Sequence, residues 1–96
     1  MIGVVAKLIV KDGKQEDFAE LAKDLMAKVK ANEPGCLTYQ LYKSRKEANA
    51  YIFMEQYASQ ADLEVHGQSD YFKVAIASLS ACLAATPDVQ YYDIVE

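Results

Sequence analysis

The chain has little of what metal and redox sites require. Its 96 residues include no tryptophan, one histidine and two cysteines. Cys36 and Cys82 lie far apart and share no metal-ligand spacing, so a zinc site has no support and we expect two reduced thiols. The sequence also lacks a glycine-rich phosphate loop. We therefore expect the protein to carry no flavin, haem or metal and to work without a cofactor.

Basic charge is also scarce. The ten Lys and Arg residues are scattered and the net charge is −4, so the basic surface that nucleic acid binding needs is missing. The longest apolar run, residues 75–85, is broken by Ser78 and Ser80 and is too short to span a bilayer. The N-terminal residues show neither a basic leader nor a hydrophobic stretch of signal length. We expect a cytoplasmic protein with no nucleic acid or membrane partner.

What is present is typical of one small globular domain over residues 1–96. Hydrophobic residues make up 52% and charged residues 25%, with four glycines and two prolines, which is unlike a disordered chain. The core of so small a domain is modest, so a partner or a ligand would help to stabilise it.

Hydrophobic periodicity predicts the order of the elements. Alternating apolar residues indicate four strands, over 2–11, 36–44, 50–57 and 89–95. A stripe at helical spacing indicates a helix over 14–31. Ser59 is predicted to cap a short helix that ends at a left-handed Gly67, and Ser69 opens a helix that runs to about residue 85. The resulting βαββαβ order predicts an α+β, ferredoxin-like fold with a four-stranded antiparallel sheet.

Both faces of the predicted sheet carry apolar side chains, although helices can cover only one. One face is expected to hold Leu37, Tyr39 and Leu41 with Ile52 and Met54 or their alternates, and the other Tyr42 with members of the set Tyr51, Phe53 and Tyr57. Burying a few hundred Å² of such surface, at about 25 cal/mol per Å², contributes several kcal/mol. We predict a homodimer built on the helix-free face; a monomer with exposed tyrosines is the alternative.

Three segments stand out beyond their secondary structure: residues 33–42 (EPGCLTYQLY), 53–57 (FMEQY) and 63–73 (LEVHGQSDYFK). In this order they resemble segments of the antibiotic-biosynthesis monooxygenase (ABM) domain proteins. The resemblance implies a dimeric α+β barrel with a pocket between sheet and helices in each subunit. It also implies a relationship to cofactor-independent oxygenases that act with O₂ on quinols or polyketide anthrones.

The sequence departs from the family at several positions. Tyr57 stands where the family has tryptophan. Haem-degrading relatives place asparagine on the first strand, where this chain has Ala6 or Lys7, and histidine on the helix where Ile76 aligns. These departures argue against the haem-degrading branch.

His66 is the candidate catalytic residue. It is the one side chain that titrates near neutrality without help, and it falls where the family places a pocket residue. It is predicted to hydrogen-bond a phenolic or enolic oxygen or to take its proton as general base. The alternative is a half-exposed histidine that caps its helix through the helix dipole.

Five residues are predicted to bind a small-molecule substrate: Tyr39, Phe53, Glu55, Tyr57 and Phe72. Glu55 lies in an otherwise apolar strand, so it is either salt-bridged or part of a pocket, where burial raises its pKa. The aromatic residues suit the wall of a flat pocket. The alternative for each is an ordinary place in the core or interface.

The predicted activity is a cofactor-independent monooxygenase acting on a small quinol-like or polycyclic aromatic substrate. One rival is an isomerase of a small phosphorylated sugar, for which Lys7 is the nearest cation. The other is a dimer that binds a small ligand without catalysis, since kinship of fold does not establish chemistry.

Overall fold

The computed structural model describes residues 1–96. Its elements are β1 (Ile2–Ile9), α1 (Gln15–Asn32), β2 (Cys36–Lys43), β3 (Ala50–Tyr57), α2 (Gln60–Gln68), α3 (Asp70–Ser80) and β4 (Asp88–Asp93). The predicted ferredoxin-like α+β fold is confirmed, with α2 and α3 together filling the second helical position. None of the helices is both long and apolar enough to cross a membrane.

The four strands form one sheet in the order β2-β3-β1-β4, and all neighbours are antiparallel. Ala6 in the central strand β1 lies opposite Phe53 of β3 and Val89 of β4. Because side chains alternate between the faces of a strand, the even positions of β1 share the face that the helices cover. β4 is an edge strand, and all six of its residues are exposed.

α1 lies on this face through one apolar stripe. Phe18, Ala22, Leu25 and Val29 recur every three or four residues and are buried. They share one core cluster with Leu8 and other residues of the sheet. Full burial of a side chain such as Phe18 or Leu25 contributes about 1.5–3 kcal/mol, so this stripe anchors α1.

The turn from α1 to β2 passes close to α2. A side chain at Gly35 would collide with the carboxyl group of Asp62, so only glycine fits between the turn and the helix. Asp62 belongs to the first turn of α2, where its backbone N–H donates to the Ser59 hydroxyl at 3.2 Å. The predicted N-cap is therefore correct, and the close approach at Gly35 fixes α2 against the end of α1.

The predicted left-handed C-cap at Gly67 is wrong. Gly67 lies inside α2, and Gly13 is the glycine with a positive φ. The helix ends instead at Ser69, which has extended backbone angles, and its hydroxyl donates to the carbonyl of His66 at 2.9 Å. Since the serine side chain satisfies a free carbonyl of the last turn, a left-handed residue is not needed.

α3 ends at Ser80, earlier than residue 85. The following backbone pairs with the end of β1 and the residues just after it: Lys11 N–H donates to the Cys82 carbonyl and Ala84 N–H to the Ile9 carbonyl, both at 2.8 Å. These hydrogen bonds replace those of another helical turn.

The faces of the sheet differ from the prediction in two respects. Tyr51, Phe53 and Tyr57 are buried on the helix side, not on the face of Tyr42. The register shifts between Cys36 and Thr38, which leaves Leu37 50% exposed instead of in line with Tyr39 and Leu41. The helix-free face includes Val5, Tyr42, Ile52, Met54 and Tyr92. Of these, Tyr42, Met54 and Tyr92 are exposed.

Candidate functional site

A cavity of about 800 Å³ lies between the sheet and the helices α2 and α3. Its size falls in the range of small-molecule sites, and most of the lining residues are hydrophobic. Five of the six predicted site residues line it: Tyr39, Phe53, Glu55, His66 and Phe72. Tyr57 lies behind this wall and is fully buried, so it can act on a ligand only through a neighbour.

His66 is enclosed by aromatic rings. It lies in the last turn of α2, as the alternative hypothesis required, but it is only 4% exposed, so the half-exposed position of that hypothesis is wrong. Its ring centre lies 5.1 Å from that of Tyr39, 5.4 Å from Tyr57 and 4.4 Å from Phe72. This packing fixes the plane of the imidazole at the wall of the cavity.

Glu33 is the partner of His66, and the sequence analysis missed it. The Nδ1 atom of His66 lies 3.1 Å from both carboxyl oxygens of Glu33, which is 5% exposed. The hydroxyl of Tyr71, from α3, donates to the same carboxyl group. Glu33 directly follows α1, where the helix dipole disfavours a negative charge. A glutamate at this electrostatically unfavourable place, in the EPG turn, is the sequence signal from which a functional role of Glu33 could have been predicted.

The contact with Glu33 orients the imidazole. A carboxylate can only accept, so Nδ1 is the nitrogen that donates to Glu33, and Nε2 is the nitrogen left for another partner. His66 Nε2 is buried and has no hydrogen-bond partner in the chain. Because buried polar atoms are almost always paired, this nitrogen is an unfilled hydrogen-bonding position on a residue that lines the cavity.

Glu55 is the second ionisable group in the wall. Its Oε1 accepts a hydrogen bond from the Tyr57 hydroxyl at 2.6 Å, and no Lys or Arg forms an ion pair with it. Burial raises its pKa to about 7, although the hydrogen bond from Tyr57 acts in the opposite direction. Glu55 is therefore not salt-bridged, which was the alternative to a place in the pocket.

Aromatic side chains complete the enclosed end of the cavity. Tyr39 faces Glu55 across the β2–β3 pair, and its ring centre lies 5.1 Å from that of Phe53. Burial raises the pKa of Tyr39 above its ordinary value, and the charge of Glu55 acts in the same direction. The Tyr39 hydroxyl is thus protonated at neutral pH and able to donate.

The cavity lining contains carboxylates but no Lys or Arg. Lys7, the predicted nearest cation, lies at an odd position of β1, on the face opposite the cavity, and its Nζ is 3.0 Å from Glu47 Oε2. Glu55, Glu64 and Asp93 are the acidic lining residues. The site therefore offers no positive charge to an anionic ligand.

The ligating side chains of the chain are dispersed. No three His, Cys, Asp or Glu residues come together as a group that could hold a metal ion. Cys36 and Cys82 are free thiols. Burial raises the pKa of Cys36 to about 11, so it is a thiol and not a thiolate at neutral pH.

Comparison with known proteins identifies the family. The family model described as antibiotic biosynthesis monooxygenase matches residues 1–78. The chain belongs to this family. The match includes all four members of the buried cluster around His66: Glu33, Tyr39, Tyr57 and Phe72 lie within it.

Several relatives of this ABM-family chain span nearly its whole length. A Synechocystis protein, sll1783, described as uncharacterized, is 30% identical over 95 residues, which are 99% of this chain but only 64% of that protein. YcnE of Bacillus subtilis, provisionally described as a monooxygenase, is 29% identical over 89 residues, covering 93% of each chain. The chain thus spans less than two thirds of the Synechocystis protein.

Solved structures agree with the ABM fold. A Caulobacter crescentus protein, provisionally described as an antibiotic biosynthesis monooxygenase, is 49% identical with a TM-score of 0.96, covering 99% of this chain and 90% of that one. A conserved protein from Methanosarcina mazei is 32% identical with a TM-score of 0.90, covering 95% and 89%.

Proposed function

We propose that the protein is a cofactor-independent monooxygenase that uses O₂ to oxidise a small quinol-like or polycyclic aromatic substrate. The observation that carries this proposal is an unpartnered Nε2 on His66, a residue that lines an apolar cavity of about 800 Å³. An imidazole in this position suits hydrogen bonding to a ligand hydroxyl or removal of its proton.

The chemistry begins with deprotonation of a phenol. His66 Nε2 takes the phenolic proton while Glu33, at 3.1 Å from Nδ1, stabilises the imidazolium that forms. The resulting phenolate is electron-rich and can pass one electron to O₂ directly. The phenoxyl radical and superoxide then combine at a ring carbon, which forms a C–O bond, and the proton from His66 completes a hydroperoxide.

The aromatic wall suits a flat ligand. Tyr39 and Phe53 lie on the sheet and Phe72 on α3, and all three line the cavity, so a planar ring system can pack against them. An apolar lining of this kind also limits contact between water and the peroxide.

A phosphorylated sugar fits this cavity poorly. A phosphate group needs cations or converging N–H donors, and the lining provides neither Lys nor Arg but three carboxylates. Lys7, on which the isomerase hypothesis depends, is on the other face of the sheet. The charge of the lining therefore favours a neutral substrate.

Binding without catalysis is less well supported. A cavity that only held an apolar ligand would gain nothing from a buried carboxylate and imidazole, since burying polar groups costs free energy unless hydrogen bonds compensate for the lost water. Glu33 and His66 are 5% and 4% exposed, so the fold bears this cost.

The homodimer remains part of the proposal. Tyr42, Met54 and Tyr92 on the helix-free face are 51%, 44% and 50% exposed. Apolar side chains in this arrangement suit contact with the same face of a second copy, in an isologous interface.

The test is O₂ consumption by the purified protein with a panel of quinols and polycyclic phenols, without added flavin or metal. We expect uptake with at least one member, a quinone product and much slower uptake by His66→Gln. A panel without uptake, combined with ligand binding in a thermal-shift assay, would overturn the enzymatic proposal in favour of a binding protein.

A further inference from the structure

Glu55 is a carboxyl group in the cavity wall that the first half of the reaction does not use. On β3 it lies opposite Val4 of β1 and Tyr39 of β2, on the face covered by the helices. Its Oε1 accepts from Tyr57 at 2.6 Å, whereas Oε2 has no hydrogen-bond partner in the chain. Since Glu55 lines the cavity, this free oxygen is available to a ligand.

Burial favours the protonated form of Glu55, and the charge of Glu33 acts in the same direction, whereas the hydrogen bond from Tyr57 favours the ionised form. The Tyr39 phenol and the Cys36 thiol also lie near enough to interact with Glu55 electrostatically. His66, which lines the cavity too, is paired with Glu33, and β1 places the apolar Val4 opposite Glu55. Burial raises the pKa of Glu55 to about 7, so near neutral pH much of it carries a proton.

The second half of the reaction needs such a proton. The ring carbon that holds the hydroperoxide must lose its hydrogen to a base, and the electron pair of that C–H bond becomes the second bond of the new carbonyl. The O–O bond breaks at the same time, and hydroxide leaves. Hydroxide is a poor leaving group unless an acid protonates it as it departs.

We propose that Glu55 is this acid and that its Oε2 proton passes to the oxygen that leaves as the O–O bond breaks. This proposal rests on the monooxygenase function proposed above. His66, free again after the hydroperoxide forms, takes the proton from the ring carbon and returns it to Glu55. The sum is phenol plus O₂ giving quinone plus water: one oxygen atom enters the product, the other becomes water, and both residues regain their starting states.

Tyr57 is a positioning residue in this scheme. It is fully buried and touches Glu55 through its hydroxyl. By occupying Oε1, it leaves Oε2 as the carboxyl oxygen that carries the transferable proton.

The test separates O₂ uptake from product formation in a single turnover. Substrate and excess enzyme are mixed with O₂, quenched in acid at intervals and analysed by mass spectrometry. The variants are Glu55→Gln, which keeps an acceptor for Tyr57 but has no acidic proton, and Tyr57→Phe. Glu20→Gln, an exposed carboxylate on α1, is the matched control.

In Glu55→Gln we expect O₂ uptake to persist while quinone formation slows by about 10²-fold or more. A species heavier than the substrate by one O₂ should accumulate. In the wild type, quinone formation should decline as the pH rises past about 7, and this decline should be absent in Glu55→Gln. Tyr57→Phe should slow quinone formation less, and Glu20→Gln should behave as wild type.

Two outcomes overturn the assignment of Glu55 alone. One is a Glu55→Gln variant that forms quinone at the wild-type rate. The other is a parallel loss of O₂ uptake and quinone, which would place Glu55 in binding or deprotonation. A wild type that takes up no O₂ with any phenol would overturn the monooxygenase function itself. If Glu55→Gln does not fold, wild-type quinone formation that is independent of pH between about 6 and 8 overturns the assignment instead.

Discussion

Glu33 and Glu55 are two carboxylates near the same enclosed end of the cavity, and they differ in their partners. Glu33 contacts the imidazole of His66 and the hydroxyl of Tyr71, and it does not line the cavity. Glu55 contacts one phenol and keeps an oxygen free. The comparison teaches that the partner decides the role: a carboxylate bound to an imidazole orients a base, whereas one bound only to a phenol can exchange a proton with a ligand.

The largest effect is expected at the residue that Glu33 orients. His66→Gln keeps an N–H that can donate to Glu33 but has no basic nitrogen, so turnover should fall by roughly 10²–10⁴. Initial rates of O₂ uptake measure it, and thermal melting checks that the fold survives. Alanine is a poorer choice, because it leaves Glu33 buried without its imidazole partner. Turnover at the wild-type rate would remove His66 from the mechanism.

Glu33→Gln tests the orienting carboxylate itself. The amide can still hydrogen-bond Nδ1, but it cannot balance the imidazolium charge, so kcat should fall by about 10–100-fold with little change in KM. Tyr71→Phe removes only the hydroxyl that contacts Glu33 and should have a smaller effect. An increase in KM at constant kcat would contradict the orienting role and indicate a binding role.

The pH dependence of stability tests the burial of Glu55. Burial raises the pKa of Glu55 from 4.5 to about 7, so the folded protein holds this proton more tightly than the unfolded chain does. Its contribution is therefore fully present below about pH 4.5 and is lost as the pH rises through about 7. Since Glu55 is partly exposed, we expect about 2 kcal/mol between these limits.

Urea unfolding at pH 5 and pH 8 measures this difference. The free energy of unfolding of the wild type should fall between the two pH values by more than that of Glu55→Gln, which cannot titrate at this position. Glu20→Gln is the control and should follow the wild type. Equal pH dependence in the wild type and Glu55→Gln would show that the Glu55 carboxyl titrates normally.

The smallest effect is expected far from both carboxylates, on the helix-free face. If that face forms a homodimer, Met54→Lys should weaken dimerisation by about tenfold or more, since burial of one such side chain contributes about 1.5 kcal/mol or more. Sedimentation equilibrium at micromolar concentration measures it. Val65, exposed on α2, provides the control Val65→Lys. A monomeric wild type would contradict the dimer.

Periodicity predicted most of the fold because it reports burial directly. The apolar stripe of α1 and the apolar residues of β1 and β3 each indicated one type of element. The observed bounds of these three elements differ from the predicted ones by two residues or fewer. Local hydrogen bonds were harder to foresee. The hydroxyl of Ser69 ends α2 without help from Gly67, and the register shift at Leu37 changes which side chains share a face with Tyr39.

The candidate site was predicted in part. Glu55 stood out because a carboxylate in an apolar strand is unusual, and His66 because its ordinary pKa lies near neutral pH and the family resemblance places a pocket residue there; both line the cavity. Glu33 did not stand out, because it lies in a polar turn, and the end of a helix was already a sufficient explanation for that turn. Only the tertiary contact between that turn and α2, 33 residues later, shows that its carboxyl group is buried.

Because Nε2 of His66 has no partner, the core of the ligand-free protein contains a buried polar atom without a hydrogen bond. A molecule that donates a hydrogen bond to this nitrogen supplies a missing contact of the fold, in addition to filling the space beside it. At about 100 times its dissociation constant such a molecule would add about 2.7 kcal/mol to the free energy of unfolding. For a chain of this length, that corresponds to a rise in Tm of roughly 10 °C or more. Melting temperature can thus identify phenols that fit the cavity before any turnover has been seen.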